Sequence, residues 1–434
     1  MGGGLRVTWN NCCLSIPFHA KVVSHWEEAD LNLQTPYKIL MYSHDTYGLG
    51  HIRRCLAMAR SLSKTPANIL LLTGSPLAGR FKIPRRIDFV RIPGMIKVTH
   101  EQYLPLSMKL EAAEVLEIRK SIILATAKAF QPDFFIVDKA PLGLKREVVD
   151  TLLWLKSEFP CCQSILGLRD IMDSAESTID DWSSKDIYEA MDQLYHEIWV
   201  YGCRDFYDPI LEYAIPPHVA QKIHFTGYIP RQVPSPEDIQ ATRRSLGISA
   251  EDKLIVVTTG GGADGQPVVN TFLKAFDASL GGVPKHTRVV IVTGPFISPR
   301  DYQEVVKQCE SLRFTTLKFY RSMERLIGAA AVVVSMGGYN TVCEIASQKK
   351  PFLIVPRTVP REEQLIRAQV LCSRGFCDYL HPRELTPATL REKVLTLLHN
   401  GSSCRRKMGQ FPFTALEVIR KRILDHKRCE QKCI

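Results

Sequence analysis

His51 stands directly behind a glycine loop, Gly48-Leu49-Gly50, where the apolar spacing predicts the start of a helix. Ile52, Cys55, Leu56, Ala59 and Leu62 recur at helical intervals and form one buried face, with Arg53, Arg54 and Arg60 pointing elsewhere. An imidazole at a helix N-terminus tends to stay neutral because the helix dipole disfavours its cation, and a neutral imidazole can accept a proton. His51 is therefore a candidate general base, with Asp45 and Asp170 as carboxylates that could do the same work. A histidine that merely caps its helix is the simpler reading of this loop taken alone.

A second chemical signal lies at Ser335-Met336-Gly337-Gly338. The apolar run 329–334 reads as a buried strand ending in this turn, helical spacing follows from Asn340 to Lys349-Lys350-Pro351, and 352–355 reads as another buried strand. Strand, glycine turn, helix and strand make a βαβ unit whose turn aims backbone N–H groups and the helix dipole at an anion, most naturally a phosphate. Glu344, about one turn into the helix, can reach a sugar hydroxyl beyond that phosphate. The pattern suits a nucleotide diphosphate; a tight turn followed by a solvated glutamate is the alternative.

The elements that must position these residues follow a two-domain α/β pattern. With 434 residues, 45% hydrophobic and 23% charged, the chain is long enough for two sizeable cores. Its apolar runs are too short for a membrane span, the first 18 residues show no signal-peptide core, residues 1–36 show no clear period and read as a loosely ordered extension, and a cytoplasmic location is expected. The 13 cysteines have no metal-ligand spacing and read as reduced. A first Rossmann-like domain is expected over 37–228, with strands at 37–42, 69–73, 87–92, 134–138, 164–168 and 197–201 and a long helix at 107–130. Asp138, Arg169 and Asp170 fall at strand ends, where a doubly wound sheet forms its binding crevice; capping of the next helix is the other reading for each. The proline-rich segment 229–247 reads as a linker, 248–405 as a second Rossmann-like domain, and 406–434 as a basic helix or tail. The net charge is +11, and residues 401–434 carry nine Lys or Arg against three acids. Without aromatic interleaving this reads as a solvated helix with some pull on anions, not as a nucleic-acid module.

In the second domain, Gly260-Gly261-Gly262-Ala263-Asp264-Gly265 satisfies the dinucleotide pattern G-x-G-x-x-G after a strand. The following strand, 288–293, ends in Thr293-Gly294-Pro295 without the acid that would hold a nicotinamide dinucleotide's ribose, which weakens that reading.

Together, Phe319-Tyr320, Met323, Gly337-Gly338, Thr341, Glu344, Pro351, Val355-Pro356 and Glu363-Gln364 resemble the nucleotide-sugar half of MurG-type glycosyltransferases, which have the GT-B fold. Gly48-Leu49-Gly50-His51 is similar to the first-domain loop of the same enzymes. The chain from about 37 to 428 looks most like a bacterial family of predicted glycosyltransferases, through Ser43-His44-Asp45, Gly167-Leu168-Arg169-Asp170 and Tyr201-Gly202. Met336, Tyr339 and Pro360-Arg361-Glu362-Glu363 depart from the MurG pattern near the phosphate and donor sugar.

The resemblance implies two Rossmann-like domains facing across a cleft. Phe319 and Tyr320, with Met323, would frame the base, Glu344 the ribose, Gly337, Gly338 and Thr341 the diphosphate, and Glu363 and Gln364 the donor sugar. Gly261 and Gly262 would close over the donor, while Gly48, Gly50, Asp138 and Arg169 would line the acceptor side with His51. It implies transfer of a sugar from a nucleotide-diphosphate donor, uridine-linked by analogy, to an unidentified hydroxyl, with no metal and no further cofactor. A hydrolase or epimerase of nucleotide sugars, and a non-catalytic sugar-nucleotide binder, are the competing readings. A lipid-linked acceptor would suit peripheral contact with the inner membrane face, through the basic tail or through 92–98 near Arg85 and Arg86; a plain surface loop is the stronger reading of that mixture.

Overall fold

Short runs of Ile, Val, Leu and Phe, buried on both faces, form parallel strands in two separate sheets. The computed structural model describes residues 36–44, 50–97, 102–261 and 264–432. The first sheet contains β1 (Tyr37–Ser43), β2 (Ala67–Thr73) and β3 (Ile87–Arg91). A small antiparallel hairpin, β4 (Met95–Lys97) and β5 (Tyr103–Pro105), stands apart from it. The sheet continues with β6 (Phe134–Asp138), β7 (Gln163–Arg169), β8 (Glu197–Tyr201) and β9 (Ile223–Phe225), in the order β3-β2-β1-β6-β7-β8-β9. The second contains β10 (Lys253–Thr258), β11 (Thr287–Val292), β12 (Thr315–Leu317), β13 (Val332–Ser335), β14 (Phe352–Ile354) and β15 (Asp378–Tyr379). Its order is β12-β11-β10-β13-β14-β15.

In both sheets the strand order reverses beside the first strand, between β1 and β6 and between β10 and β13. Loops diverge at such a point and leave a crevice at the carboxyl ends of the strands. The helix Gly50–Leu62 follows β1 at the first switch point, and the helix Tyr339–Ser347 follows β13 at the second. The two helices meet near their N-termini: a Cβ on Gly50 would lie 2.3 Å from Asn340 Nδ2, so a larger residue would displace that side chain. One apolar cluster runs from Ile39 and Trp199 through Tyr228, Tyr339 and Phe411 to Val256 and Ile354, joining the sheets.

Two expectations change. Within the segment read as a linker lies a helix, Pro236–Ser245, capped by Ser235 Oγ and packed on the helix Met323–Ala329. Arg243 Nη1 donates to Ala329 O and Arg325 pairs with Asp238 at 2.9 Å, so proline richness here marks a helix start. The basic C-terminal helix, Ala415–Lys432, is not simply solvated. It packs on the helix Gly50–Leu62, burying Ile419 and Ile423, and its cations find partners in the first sheet. Arg422 and His426 bond Glu197 at 2.6 and 2.7 Å, and Lys427 pairs with Asp133.

Glu197 also accepts from Trp199 Nε1 at 2.7 Å, and although burial opposes ionisation, its three donors hold its carboxyl well below the usual range. Glu197→Ala therefore leaves a buried indole N–H without its acceptor and takes the shared carboxylate from Arg422 and His426; it should cost about 2–4 kcal/mol in urea unfolding. Lys120→Ala, which removes only an exposed pair with Glu117, should change stability by less than about 0.5 kcal/mol.

Candidate functional site

Asp138 ends β6 with its side chain fully buried, and every lone pair that matters is claimed. Arg54 donates Nε to Oδ1 at 2.8 Å and Nη2 to Oδ2 at 2.7 Å, and His51 Nδ1 lies 2.7 Å from Oδ2. Burial disfavours the carboxylate, but Arg54 and His51 outweigh it and hold its pKa far below the usual range. Arg54, expected to point away from the core, is only 1% exposed. It sits one turn after His51, so both reach the same strand end.

Burial lowers the His51 pKa to about 4 although Asp138 pulls it up, so the imidazole is neutral near pH 7. Its contact with Asp138 is then a hydrogen bond from a neutral ring to a carboxylate. The carboxylate fixes the proton on Nδ1, and the Arg54 Nη2 lying 3.1 Å from Nδ1 is a close neighbour, not a second donor. Nε2 is left as a lone pair with no partner among the described residues, on a side chain 16% exposed. That is the arrangement of an oriented general base. His44 packs edge-on against it at 5.7 Å, also held neutral, chiefly by burial and then by His51.

On the facing sheet, Gly337 has φ of +80° and a Cβ there would lie 2.6 Å from Ile354, so glycine is required. Gly338 caps the helix Tyr339–Ser347 with open space beside it, and Thr341 is half-buried in its first turn. Glu344 lies further along and is held by Arg53, Nη1 to Oε1 2.8 Å, across the cleft. Glu363 and Gln364 open the helix Glu363–Ser373. Gln364 Oε1 accepts from Arg357 N at 3.1 Å, and Glu363 pairs with Arg169 Nη1 at 2.8 Å. Burial raises the Glu363 pKa, but Arg169, Arg367, Lys139 and Arg357 together bring it to about 2.

Phe319 is 47% exposed after β12, whereas Tyr320 and Met323 pack partly into the core. The carbonyl of Gly261 accepts from Phe296 N at 3.0 Å, tying the loop after β10 to the loop after β11. Asp45, Gly48 and Gly262 lie outside the described residues.

Asp170, the other candidate carboxylate, points into the core. It is fully buried; Oδ1 accepts from Ile171 N at 2.8 Å, Oδ2 accepts from Tyr228 Oη, and Arg367 stands 3.9 Å away. Its side chain has no exposed surface in this arrangement. Tyr339, a departure from the MurG pattern, is the residue this network surrounds. It is 2% exposed, with the Arg54 and Arg367 guanidinium groups 5.8 and 5.7 Å from its ring centre, and its hydroxyl donates to Tyr201 O at 2.9 Å. Sequence reading missed Arg54, Arg367 and Tyr228; only the His51–Arg54 spacing carried a signal.

The stretch 92–98, weighed against a plain surface loop for membrane contact, is described only as far as residue 97. Ile92 and Met95 are buried, whereas Leu104, Leu106, Met108 and Leu110, at 39–43% exposure, line the segment just after it. Among the described residues no helix is long and apolar enough to cross a membrane.

Residues 254–423 match the glycosyltransferase family 28 C-terminal domain. The UDP-N-acetylglucosamine--N-acetylmuramyl-(pentapeptide) pyrophosphoryl-undecaprenol N-acetylglucosamine transferase of Paenarthrobacter aurescens is 26% identical over 162 residues, covering 37% of this chain and 42% of that one. The chain spans less than half the length of the curated relatives it matches first. Among solved structures, Acinetobacter baumannii MurG aligns with a TM-score of 0.56 at 14% identity, covering 90% of this chain and all of that one. A UDP-N-acetylglucosamine 2-epimerase aligns with a TM-score of 0.60 at 13% identity over 93% and 98% of the two chains. The fold is that of the GT-B glycosyltransferases, two Rossmann-like sheets with their binding ends opposed.

His51 gives a pH signature. The folded imidazole resists protonation down to about pH 4, whereas an unfolded one titrates near 6.5, so between these values the unfolded state binds more protons. Stability contributed at this site therefore rises with pH over that window and is lost as pH falls through it. Denaturant unfolding at half-unit steps from pH 4 to 7 should show the rise, and His51→Asn should flatten it.

Proposed function

We propose that the protein transfers a sugar from a nucleotide-diphosphate donor, uridine-linked, to a hydroxyl acceptor, without a metal. The observation that carries this reading is the opposition of His51, fixed by Asp138 at one switch point, to the open helix start at Gly338 at the other. The family 28 match to 254–423 and the MurG-like relatives support it.

In this reading the diphosphate binds at Gly337, Gly338 and Thr341, where backbone N–H groups and the helix dipole stabilise the charge that grows as the nucleotide leaves. The ribose hydroxyls bond Glu344, which requires Arg53 to release it. Phe319 and Tyr320 border the base, and Glu363 and Gln364 border the donor sugar. The acceptor hydroxyl gives its proton to His51 Nε2 as its oxygen forms the new glycosidic bond, and Asp138 steadies the imidazolium that results. Closure of the sheets excludes water from this step. The exposed Leu104–Leu110 segment, with Lys109, suits shallow contact with an anionic membrane and hence a lipid-linked acceptor.

A uridine diphosphate thermal shift is the first test, since a ligand of the folded state raises its midpoint. The shift should be present in the wild-type protein and abolished in Glu344→Ala. With a working acceptor, His51→Ala should lower kcat about 10²–10⁴-fold while the donor still binds. Full activity in His51→Ala would remove the base assignment, and nucleotide-sugar turnover without acceptor would point to a hydrolase or epimerase instead. Sedimentation with phosphatidylglycerol vesicles should fall on Leu106→Ser/Leu110→Ser; unchanged sedimentation would exclude that surface.

A further inference from the structure

Glu363 faces more positive charge than its one carboxylate can balance. Arg169, at the end of β7, reaches Oε2 at 2.8 Å, and Arg357, after β14, stands 3.6 Å from Oε1 while its Nη1 pairs with Asp264 at 2.7 Å. Arg361 in the same loop has Asp173 at 3.7 Å. Lys139 has nothing: among the described residues its ammonium makes neither a hydrogen bond nor an ion pair. Arg169, Arg361 and Arg54 act on it unfavourably and Glu363 attracts it; burial first, and then these cations, hold its pKa well below the ordinary lysine value.

Three features suggest that this position serves a ligand. The Lys139 backbone has φ of +72°, a conformation a lysine adopts only where its surroundings impose it, and its N–H donates to Gly167 O at 2.7 Å. Arg169 Nε and Arg357 Nε are buried with no acceptor. Finally, Lys139 directly follows Asp138, so the unmatched charge stands beside the base, on the first sheet, and not at the Gly338 helix start where the nucleotide diphosphate is placed. Cations crowded in this way repel one another until an anion arrives.

We propose that Lys139, Arg169 and Arg361 form an anion subsite at the junction of donor sugar and acceptor, taking a carboxylate or phosphate carried by the carbohydrate itself. This rests on the glycosyltransferase reading. The anionic group can belong to the transferred sugar, as in a uronic acid, or to a phosphorylated acceptor; the subsite chemistry is the same.

Calorimetric titration of the full chain and of Lys139→Met, which keeps the aliphatic stem and removes the charge, separates the outcomes. The probes are uridine diphosphate, UDP-glucose and UDP-glucuronate, then glucose and glucose 6-phosphate added to UDP-saturated protein. Uridine diphosphate should bind both proteins equally, which also reports that the variant is folded; Lys139→Gln replaces it if Met is not tolerated. The wild type should bind one acidic probe at least tenfold more tightly than its neutral counterpart, and the variant should lose that preference. Preference for UDP-glucuronate assigns the anion to the donor, and preference for glucose 6-phosphate assigns it to the acceptor. No preference in the wild type, a preference that survives the substitution, or weaker uridine diphosphate binding by the variant would overturn the subsite. Failure of the wild type to bind uridine diphosphate would instead overturn the glycosyltransferase reading, while glucose 6-phosphate against glucose would still decide whether Lys139 holds an anion.

Discussion

The buried pair of Arg54 and Asp138 is the interaction on which the rest depends. A guanidinium and a carboxylate leave water at large cost, and the cost is offset only when geometry is good and the remaining donors and acceptors are met. Here both carboxylate oxygens are used by Arg54, one is shared with His51, and the face of the guanidinium lies against Tyr201 and Tyr339. The same pair thus orients the His51 imidazole, anchors the helix Gly50–Leu62 to β6 and meets the second sheet through Tyr339. Arg367 also stands over the Tyr339 ring, 5.7 Å from its centre, with Asp170 3.9 Å from the guanidinium. A charge-lined aromatic at this point sets the position of the two switch points relative to each other.

The cleft is closed by charges of the kind that would recognise a ligand. Arg53 holds Glu344 and Arg169 holds Glu363, each pair joining one sheet to the other. Glu362 N to Asp173 and Arg367 to Ile171 O add further bonds across the same seam. These pairs are partly buried, so each partner lost to a ligand must be replaced by a group of matching charge or hydrogen bonding. That requirement favours polar, anionic occupants over apolar ones. Lys139, beside this seam, makes neither a hydrogen bond nor an ion pair among the described residues.

Much of the site was legible in local sequence. Gly337-Gly338 after an apolar run, and Gly50-His51 before a helical one, announced the two turns because strand, glycine turn and helix each leave a short-range pattern. The strand ends Asp138 and Arg169 were readable for the same reason. Asp170 looked equivalent to them, yet it turned inward to Tyr228 and Arg367, partners 58 and 197 positions away. The helix inside the segment 229–247 was hidden in a similar way, since prolines that break a helix interior also start one.

The sequence by itself determined the alternation of strand and helix, the division into two Rossmann-like sheets and the residue types at the strand ends, since periodicity and turn chemistry are local. Only the tertiary structure decided which of those residues meet. Arg54 became a buried partner of Asp138, Arg53 a clasp on Glu344, and Tyr339 the centre of the interface, through contacts 84 and 291 residues apart in the first two cases. Ionic pairing and burial depend on distance in space, and no spacing along the chain encodes which carboxylate a given arginine will find once the two sheets have closed on each other.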